Sequence, residues 1–453
     1  MTSLLALVAA LAVVVGLGGC ASYRPAPLPE QPDLAAELAD LDLSIPAAGR
    51  DPSSAVDIAR PLTIDDIGLL AILNNPGLKS ERGTLDVARA GLLQAALIPD
   101  PTATLSYGQL IAGPGTASSI AASLAQDIAA LITRPARVNA TAAHLGAVNA
   151  EELWREWQIA QKARQLAVDL HWGGEAISLV EAELKLIGAE VAQVRKAIAK
   201  GNLTLTALAP LLTAQATAAQ SLSGLRLSQL KNWQALDALM GLLPSVRFPI
   251  ARPSLAPPPI DLAPLLAGLP EYRPDLAALH LGYLSAEEDV RAAILGQFPA
   301  FSIGTSYGSD TTKVVTIGPS FTFALPIFDR NQGKIAASRA TRLLLREQYQ
   351  ARLDAAVANV QALYAQLRRL NADLGSARKA AAAARSLAAT ARQAYAQGNL
   401  DERSLTDYET TALERAVQVT TIERQIGEDQ IMLAVELGLD LPHVRIALSG
   451  AAP

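Results

Sequence analysis

The chain is written twice. Asn75-Pro76-Gly77-Leu78 through Tyr107-Gly108 recurs as Arg273-Pro274-Asp275-Leu276 through Tyr307-Gly308. Later, Lys200-Gly201-Asn202-Leu203 recurs as Gln397-Gly398-Asn399-Leu400, and Met240-Gly241-Leu242 as Leu437-Gly438-Leu439. The offset is 198 from Asn75 to Arg273, 200 from Tyr107 to Tyr307 and 197 from Lys200 to Gln397. A repeat of that length is a whole multi-helix module rather than one turn of a solenoid. Whatever one copy folds into, the other must fold into as well.

Each copy contains a long stretch of heptad periodicity. In the first, Leu170, Gly173, Ile177, Val180, Leu184, Ile187, Val191, Val194 and Ile198 alternate steps of three and four. In the second, the steps alternate through Leu353, Ala356, Val360, Leu363, Leu367, Leu370, Leu374, Ala377, Ala381, Ala384, Ala388, Ala391 and Tyr395. A mean period of 3.5 is the coiled-coil pattern. With Pro135 at its start and no later proline, the stretch from Arg134 to Lys200 spans roughly 100 Å if wholly helical. Gly201 and Gly398 suit left-handed helix caps. Return helices are then expected through Leu208, Leu212, Ala219 and Leu222, and through Leu405, Tyr408, Leu413 and Val417. Two helical hairpins result, each with a free tip, and paired tips suggest docking to another protein.

The front of the chain bears on the compartment. Leu4 to Leu17 is an apolar and glycine run, short for a spanning helix, that ends in Leu17-Gly18-Gly19-Cys20. This resembles a bacterial lipoprotein signal, although Met1-Thr2-Ser3 lacks the usual basic residues. The resemblance implies cleavage before Cys20 and lipidation of that residue. Ala21 rather than Asp follows it, which implies outer-membrane sorting. Cys20 is the only cysteine, so no intrachain disulfide or thiolate cluster can form.

Composition narrows the function. Half the residues are apolar, yet only 4% are aromatic and no stretch after the signal reaches the length of a spanning helix. Net charge is -5 with dispersed basic residues, which gives no nucleic-acid footprint. His144, His171, His280 and His443 are scattered singly and supply no visible metal ligand set. Neither a nucleophile elbow nor a phosphate loop is present, so nothing argues for an enzyme or a cofactor.

Before each long helix, the period changes to two. Ala103, Leu105 and Tyr107 alternate with Thr102, Thr104 and Ser106, and Ile120, Ala122 and Leu124 alternate with Ser119, Ala121 and Ser123. In the second copy, Phe301, Ile303 and Tyr307 alternate with Ser302, Gly304 and Ser306. There, Val315, Ile317, Phe321 and Phe323 alternate with Thr316, Gly318, Ser320 and Thr322. Four strands with one apolar and one small polar face fit lipid on one side and water on the other. A soluble two-sheet sandwich gives the same alternation. The acylation signal and the duplication favour the membrane, where a sheet must close and four strands per chain require several chains.

The order of strand pair, long helix, tip and return helix, used twice behind an acylation signal, resembles the TolC-like outer-membrane efflux family. The sharpest local match is Leu325-Pro326-Ile327-Phe328-Asp329 at the junction of the last strand and the second long helix. Its continuation, Arg330-Asn331-Gln332-Gly333, is similar to the cobalt-zinc-cadmium heavy-metal branch. So are Leu124-Ala125-Gln126-Asp127-Ile128 and Arg134-Pro135-Ala136-Arg137 in the first copy. Among the junction residues, Pro326 is expected to end a ladder, Asp329 to cap the next helix and Gly333 to relieve crowding.

The resemblance implies a mainly α fold with β: four transmembrane strands and long coiled-coil hairpins per chain. Three chains would complete a twelve-strand barrel and an α-helical tunnel. It further implies a passive duct for heavy-metal cations or other small toxic solutes, set in outer-membrane lipid. The partners implied are a periplasmic adaptor protein and an inner-membrane RND-type pump. Docking would fall on Lys200, Gly201, Asn202, Leu203, Gln397, Gly398, Asn399 and Leu400. The arm from Ala377 to Gln397 holds Arg378, Lys379, Arg385 and Arg392 without a carboxylate, so closing ion pairs would have to use Asp401, Glu402 or Glu190. A structural coiled-coil envelope lipoprotein without a pore is the alternative.

The expected organisation is a signal at 1–19 and a lipidated extended segment at 20–60. The first repeat covers 61–243, with strands about 101–128 and a hairpin about 134–242. A proline-rich linker at 244–264 leads to the second repeat at 265–441, with strands about 299–326 and a hairpin about 331–438. A tail at 442–453 follows.

Overall fold

A computed structural model describes residues 23–44, 55–254 and 261–439. The signal, Cys20, Ala21, the middle of the proline-rich linker, Pro442 and His443 lie outside these residues. Two units divide the chain, up to Leu34 and from Ala35 onward. Residues 23–34 of the first are exposed and contain neither helix nor strand.

In the second unit, each repeat contributes the same six elements. The first has α1 (Ile64–Asn74), α2 (Pro76–Ala96), β1 (Thr102–Gly108), β2 (Ser119–Asp127), α3 (Ile128–Ala199) and α4 (Ala209–Met240). The second has α5 (Leu262–Tyr272), α6 (Pro274–Leu295), β3 (Phe301–Ser309), β4 (Val315–Phe323), α7 (Gln332–Ala396) and α8 (Glu402–Leu437). Local chemistry starts several of these helices. Thr63 and Asp66 form a reciprocal capping box at α1, and the Asn75 side chain accepts the Leu78 amide hydrogen at 3.0 Å with Pro76 at the first helical position. Asp127 accepts from Ala130 at 3.0 Å to start α3, and Asp401 from Ser404 at 2.9 Å to start α8.

Each repeat has its own core. Ile67 and Leu70 of α1 meet Leu166 and Leu170 of α3, Leu236 and Met240 of α4, and Phe248 from the linker. In the second repeat, Leu269 and Leu276 meet Val360, Leu363 and Leu367 of α7, with Ile426, Leu433 and Leu437 of α8. Burying each such side chain contributes about 1.5–3 kcal/mol. Between the repeats, α3 packs against α6 and α8, where Val168 and Trp172 meet Ile431. The alanine seam from Ala377 to Ala391 is buried, as its period predicts.

Several expectations need correction. The first long helix starts at Ile128, so Pro135 lies inside it and not at its start. Asp127 supplies a strong cap directly after β2, and nearby carbonyls receive Thr133 Oγ1 and the Arg137 guanidinium. The return seam on α4 uses Leu208, Leu211, Ala218 and Leu222, while Leu212 and Ala219 are exposed. A tight turn of 3-10 helix at Leu205–Ala207 precedes α4. In α8, Tyr408 is likewise exposed and Thr406 buried. The linker is anchored rather than loose: Phe248 joins the core, the Ala251 amide donates to the Leu62 carbonyl at 2.8 Å, and α5 begins within it at Leu262.

Candidate channel wall, junction and tips

The four strands form one antiparallel sheet in the order β1-β2-β3-β4. Cross-strand partners share a face, so the register decides whether the four alternating patterns align. They do. One row runs Leu105, Ala122, Tyr307, Ile317, and the adjacent row runs Thr104, Ser123, Ser306, Gly318. The apolar face thus collects Leu105, Tyr107, Ile120, Leu124, Ile303, Ile317, Phe321 and Phe323, interrupted by Gln126, Thr305 and Ser309. The opposite face is Ser, Thr, Gly and Ala with Asp127 at one end. Leu105 is 75% exposed and Ile317 78%. Within the chain, β1 and β4 each have one unpaired edge.

At the junction, the ladder stops at Phe323, with one further bond from the Ala324 amide to the Ala300 carbonyl, and Pro326 follows. Asp329 does not cap α7. Its carboxylate accepts the Asn331 amide hydrogen at 2.8 Å in a local turn, and Asn331, at φ 61°, is the capping residue. Asn331 tolerates that left-handed backbone, and its side chain donates to the Ala293 carbonyl at 2.7 Å, tying α7 to the end of α6. Arg134, 197 residues earlier, donates in the same way to Ala96 at the end of α2. The Arg330 amide bonds to Gln332 Oε1 at 2.7 Å. Gly333 has no atom near its missing Cβ and relieves no crowding within the chain, while Phe328 is 92% exposed.

At the tips, both long helices end in the same double bond pattern. The Asn202 amide reaches Ala197 and that of Gly201 reaches Ile198, each at 2.9 Å; Asn399 reaches Ala394 and Gly398 reaches Tyr395, also at 2.9 Å. Gly201 has φ 75° and Gly398 φ 76°, the conformation this motif requires. Lys200, Asn202, Leu203, Gln397 and Asn399 project into solvent around these turns and Leu400 is half-buried. Asp401 is held below its ordinary range by the Ser404 amide and hydroxyl.

Two of those cations on α7, Arg378 and Arg392, pair with carboxylates of α8 other than the ones expected. Arg392 donates to Glu409 at 2.9 Å, and Arg378 pairs with Glu423, which also lies 3.6 Å from Arg252. In an antiparallel hairpin, residues equally far from the turn face each other, and Arg378 lies 14 residues before Arg392 as Glu423 lies 14 after Glu409. That matched spacing was the available signal in the sequence. Glu190 is buried, and burial followed by the Asp407 charge pushes its carboxyl up against the opposing pull of Arg403.

Where α3 crosses α8, Arg424 lies 3.1 Å from Asp169 and also contacts Glu428. Burial first, then the hydrogen bond and charge of Asp169, push the Glu428 carboxyl up to about 8. The folded state thus holds a proton that the unfolded chain releases above the ordinary carboxylate range. Its stabilising contribution is full below about 4.5 and is lost as pH rises through about 8. Glu428→Gln is expected to flatten this part of the pH dependence of thermal unfolding, measured from pH 5 to 9. Among the described residues, no group of three or more His, Cys, Asp or Glu side chains is arranged to hold a metal ion, and no helix is long and apolar enough to cross a membrane.

Solved structures share this arrangement. VceC of Vibrio cholerae matches with a TM-score of 0.67 at 19% identity, covering 83% of this chain and 96% of its own. The open state of the Neisseria gonorrhoeae MtrE outer-membrane channel matches at 0.68 and 18%, covering 92% and 98%. CusC matches at 0.67 and 15%, covering 83% and 92%. No curated protein sequence matches the chain. Residues 268–439, the second repeat, match the family model of the Outer membrane efflux protein, and the fold of the chain is the TolC-like fold of outer-membrane channels.

Proposed function

We propose that this chain is the outer-membrane duct of a tripartite export system, a passive conduit through which heavy-metal cations or other small toxic solutes leave the cell. One observation carries the reading: a four-stranded sheet with an aligned apolar face and two open edges, joined directly to two long helical hairpins. Open edges are not stable in hydrocarbon, so the sheet must be completed by further copies. Three chains supply twelve strands, and closure puts the Ser, Thr and Gly face around water. Cys20 anchors the chain by its acyl groups. The tips around Gly201 and Gly398 meet a periplasmic adaptor bound to an RND-type pump, and the pump supplies the energy and the selection.

The metal branch is favoured by Asp329-Arg330-Asn331-Gln332-Gly333 at the junction. Scarcity of histidine and methionine does not oppose it, because a wet conduit need not coordinate its cargo. A single complementation experiment tests both cargo and docking. A deletion strain is expected to accumulate cobalt, zinc and cadmium after sublethal exposure, and the intact gene to reverse this. Gly398→Trp should not reverse it, although the protein still assembles, whereas Gly398→Asn, which tolerates φ near 76°, should retain most activity. Unchanged metal in the deletion strain, with no other duct substituting, would remove metals as cargo. A pore-free envelope lipoprotein would give no conductance in planar bilayers.

A further inference from the structure

The phenylalanines are not spread evenly along the chain. Five of the six stand between Phe298 and Phe328, around the junction of sheet and helices. Phe298 is 64% and Phe323 62% exposed, and Leu325 and Ile327 are exposed beside them. Aromatic side chains gather where a bilayer meets water, so the crowding marks that level on the chain.

A cavity of about 1080 Å³ opens at the same height, between the starts of α3 and α7 and the end of α6. One side of it is apolar. Phe301 and Phe323, partners across β3 and β4 on the apolar face of the sheet, line it together with Phe298 and Leu325. The other side carries charge of both signs: Arg137 from α3, Lys334 from α7 and Asp289 from α6, with Asp127 at the helix start. Some polar groups here are committed within the chain. Asp127 accepts the Ala130 amide hydrogen, Thr133 bonds to its own helix and Asn331 donates to Ala293. By contrast, among the described residues Lys334 and Asp289 have no hydrogen bond or salt bridge, and Arg137 donates only to the Ala130 carbonyl, at 2.9 Å. Burial pushes the Asp289 carboxyl up, while Lys334 and His144 pull it down.

These groups select a ligand class. An apolar solute would leave all three charges unpaired, and a simple anion would match the two cations but oppose Asp289. A zwitterion with a phosphate and an ammonium a few bonds apart, attached to apolar chains, matches every wall of the cavity. We propose that the cavity binds one phospholipid with a primary ammonium, of the phosphatidylethanolamine class. Its phosphate sits on Lys334 and Arg137, its ammonium faces Asp289, and its acyl chains lie against Phe301 and Phe323. From there the chains continue past Ile303 and Phe321, along the face assigned to lipid. One molecule thereby bridges α3, α6 and α7 where strand gives way to helix. The depth of the site in a bilayer rests on the duct reading above; what is added is a fixed lipid with named ligands.

Delipidated protein, assembled in mild detergent, is titrated with phosphatidylethanolamine, phosphatidylcholine or phosphatidylglycerol and read by native mass spectrometry. Phosphatidylethanolamine is expected to be held about tenfold more tightly than the other two, because a quaternary ammonium cannot donate to Asp289 and a glycerol headgroup brings no cation to it. Lys334→Glu should weaken its binding about tenfold, and Ser338→Trp, which fills the cavity from α7, should abolish it. Lys185→Glu, at an exposed position further along α3, should change nothing. The same spectra report whether each variant assembles. Equal binding of the three lipids, unaltered binding by Lys334→Glu, or displacement of the lipid by inorganic phosphate would overturn this site, and the duct would stand as long as the assembled protein conducts in planar bilayers. Monomers without conductance would overturn the duct, and the site with it.

Discussion

Arg273→Ala is expected to destabilise the protein by about 3–5 kcal/mol, the largest loss anticipated for a single truncation outside the apolar cores. The guanidinium is 2% exposed. Its Nε and Nη2 donate to the two oxygens of Asp275 at 3.0 and 2.8 Å, Nη1 donates to the Glu436 carbonyl at 2.9 Å, and the plane lies 4.9 Å over the Trp154 ring. Truncation leaves the Asp275 carboxylate buried with only Arg352, at 3.6 Å and half exposed, to balance it. The first repeat has a cheaper version of this joint. Asn75, at the equivalent position, donates its side chain to the Leu239 carbonyl at 2.9 Å, where Arg273 uses that of Glu436. Asn75→Ala is accordingly expected to cost about 1 kcal/mol, since no buried charge is orphaned. Urea unfolding of the two variants separates the cases, and equal losses would mean that the ion pair adds nothing. Arg273→Lys should recover only part of the loss, because an ammonium cannot engage both Asp275 oxygens in a fork.

What the sequence disclosed about this fold, and what it did not, follows from the range of the interactions. Helix ends at Gly201 and Gly398 were legible because a left-handed cap is a property of one residue and its neighbours. The buried alanine seam of α7 was legible because one helix face repeats every 3.5 residues. Strand faces were legible for the same reason at period two. By contrast, the pairing of β2 with β3 joins the two repeats, and no local pattern encodes it. On α4, Leu208 and Leu222 pack as expected, but Leu211 and Ala218 are packed in place of Leu212 and Ala219, because two apolar residues stand side by side at each place and sequence alone does not say which faces the partner helix. Asp329 illustrates a different limit. A carboxylate just before a helix usually caps it, but Asn331 adopts φ 61° and takes that place, leaving Asp329 to close a turn two residues earlier. Glu409 and Glu423 were not singled out because nothing local to the return helix marks them; only their spacing, which mirrors that of Arg392 and Arg378, does.

The face assignment of the sheet leads to the second large effect. Leu105 and Thr104 are neighbours in the middle of β1, both exposed, and they point to opposite sides of the sheet. In water, an arginine at either position would change little. In a closed barrel, Leu105→Arg puts a cation into lipid, at a cost of about 2–4 kcal/mol per chain near the bilayer midplane, whereas Thr104→Arg puts it into the wet interior. Leu105→Arg is therefore expected to remove most of the assembled protein from the outer membrane. Thr104→Arg is expected to assemble normally and, with three added cations around the lumen, to lower cation conductance in planar bilayers. The contrast is sharp because the two residues share a strand, an edge and a depth, and differ only in the side to which they point. Equal tolerance of both substitutions would leave the sheet in water, and a lumen lined by Leu105, Tyr307 and Ile317 would be revealed by the reverse order of effects.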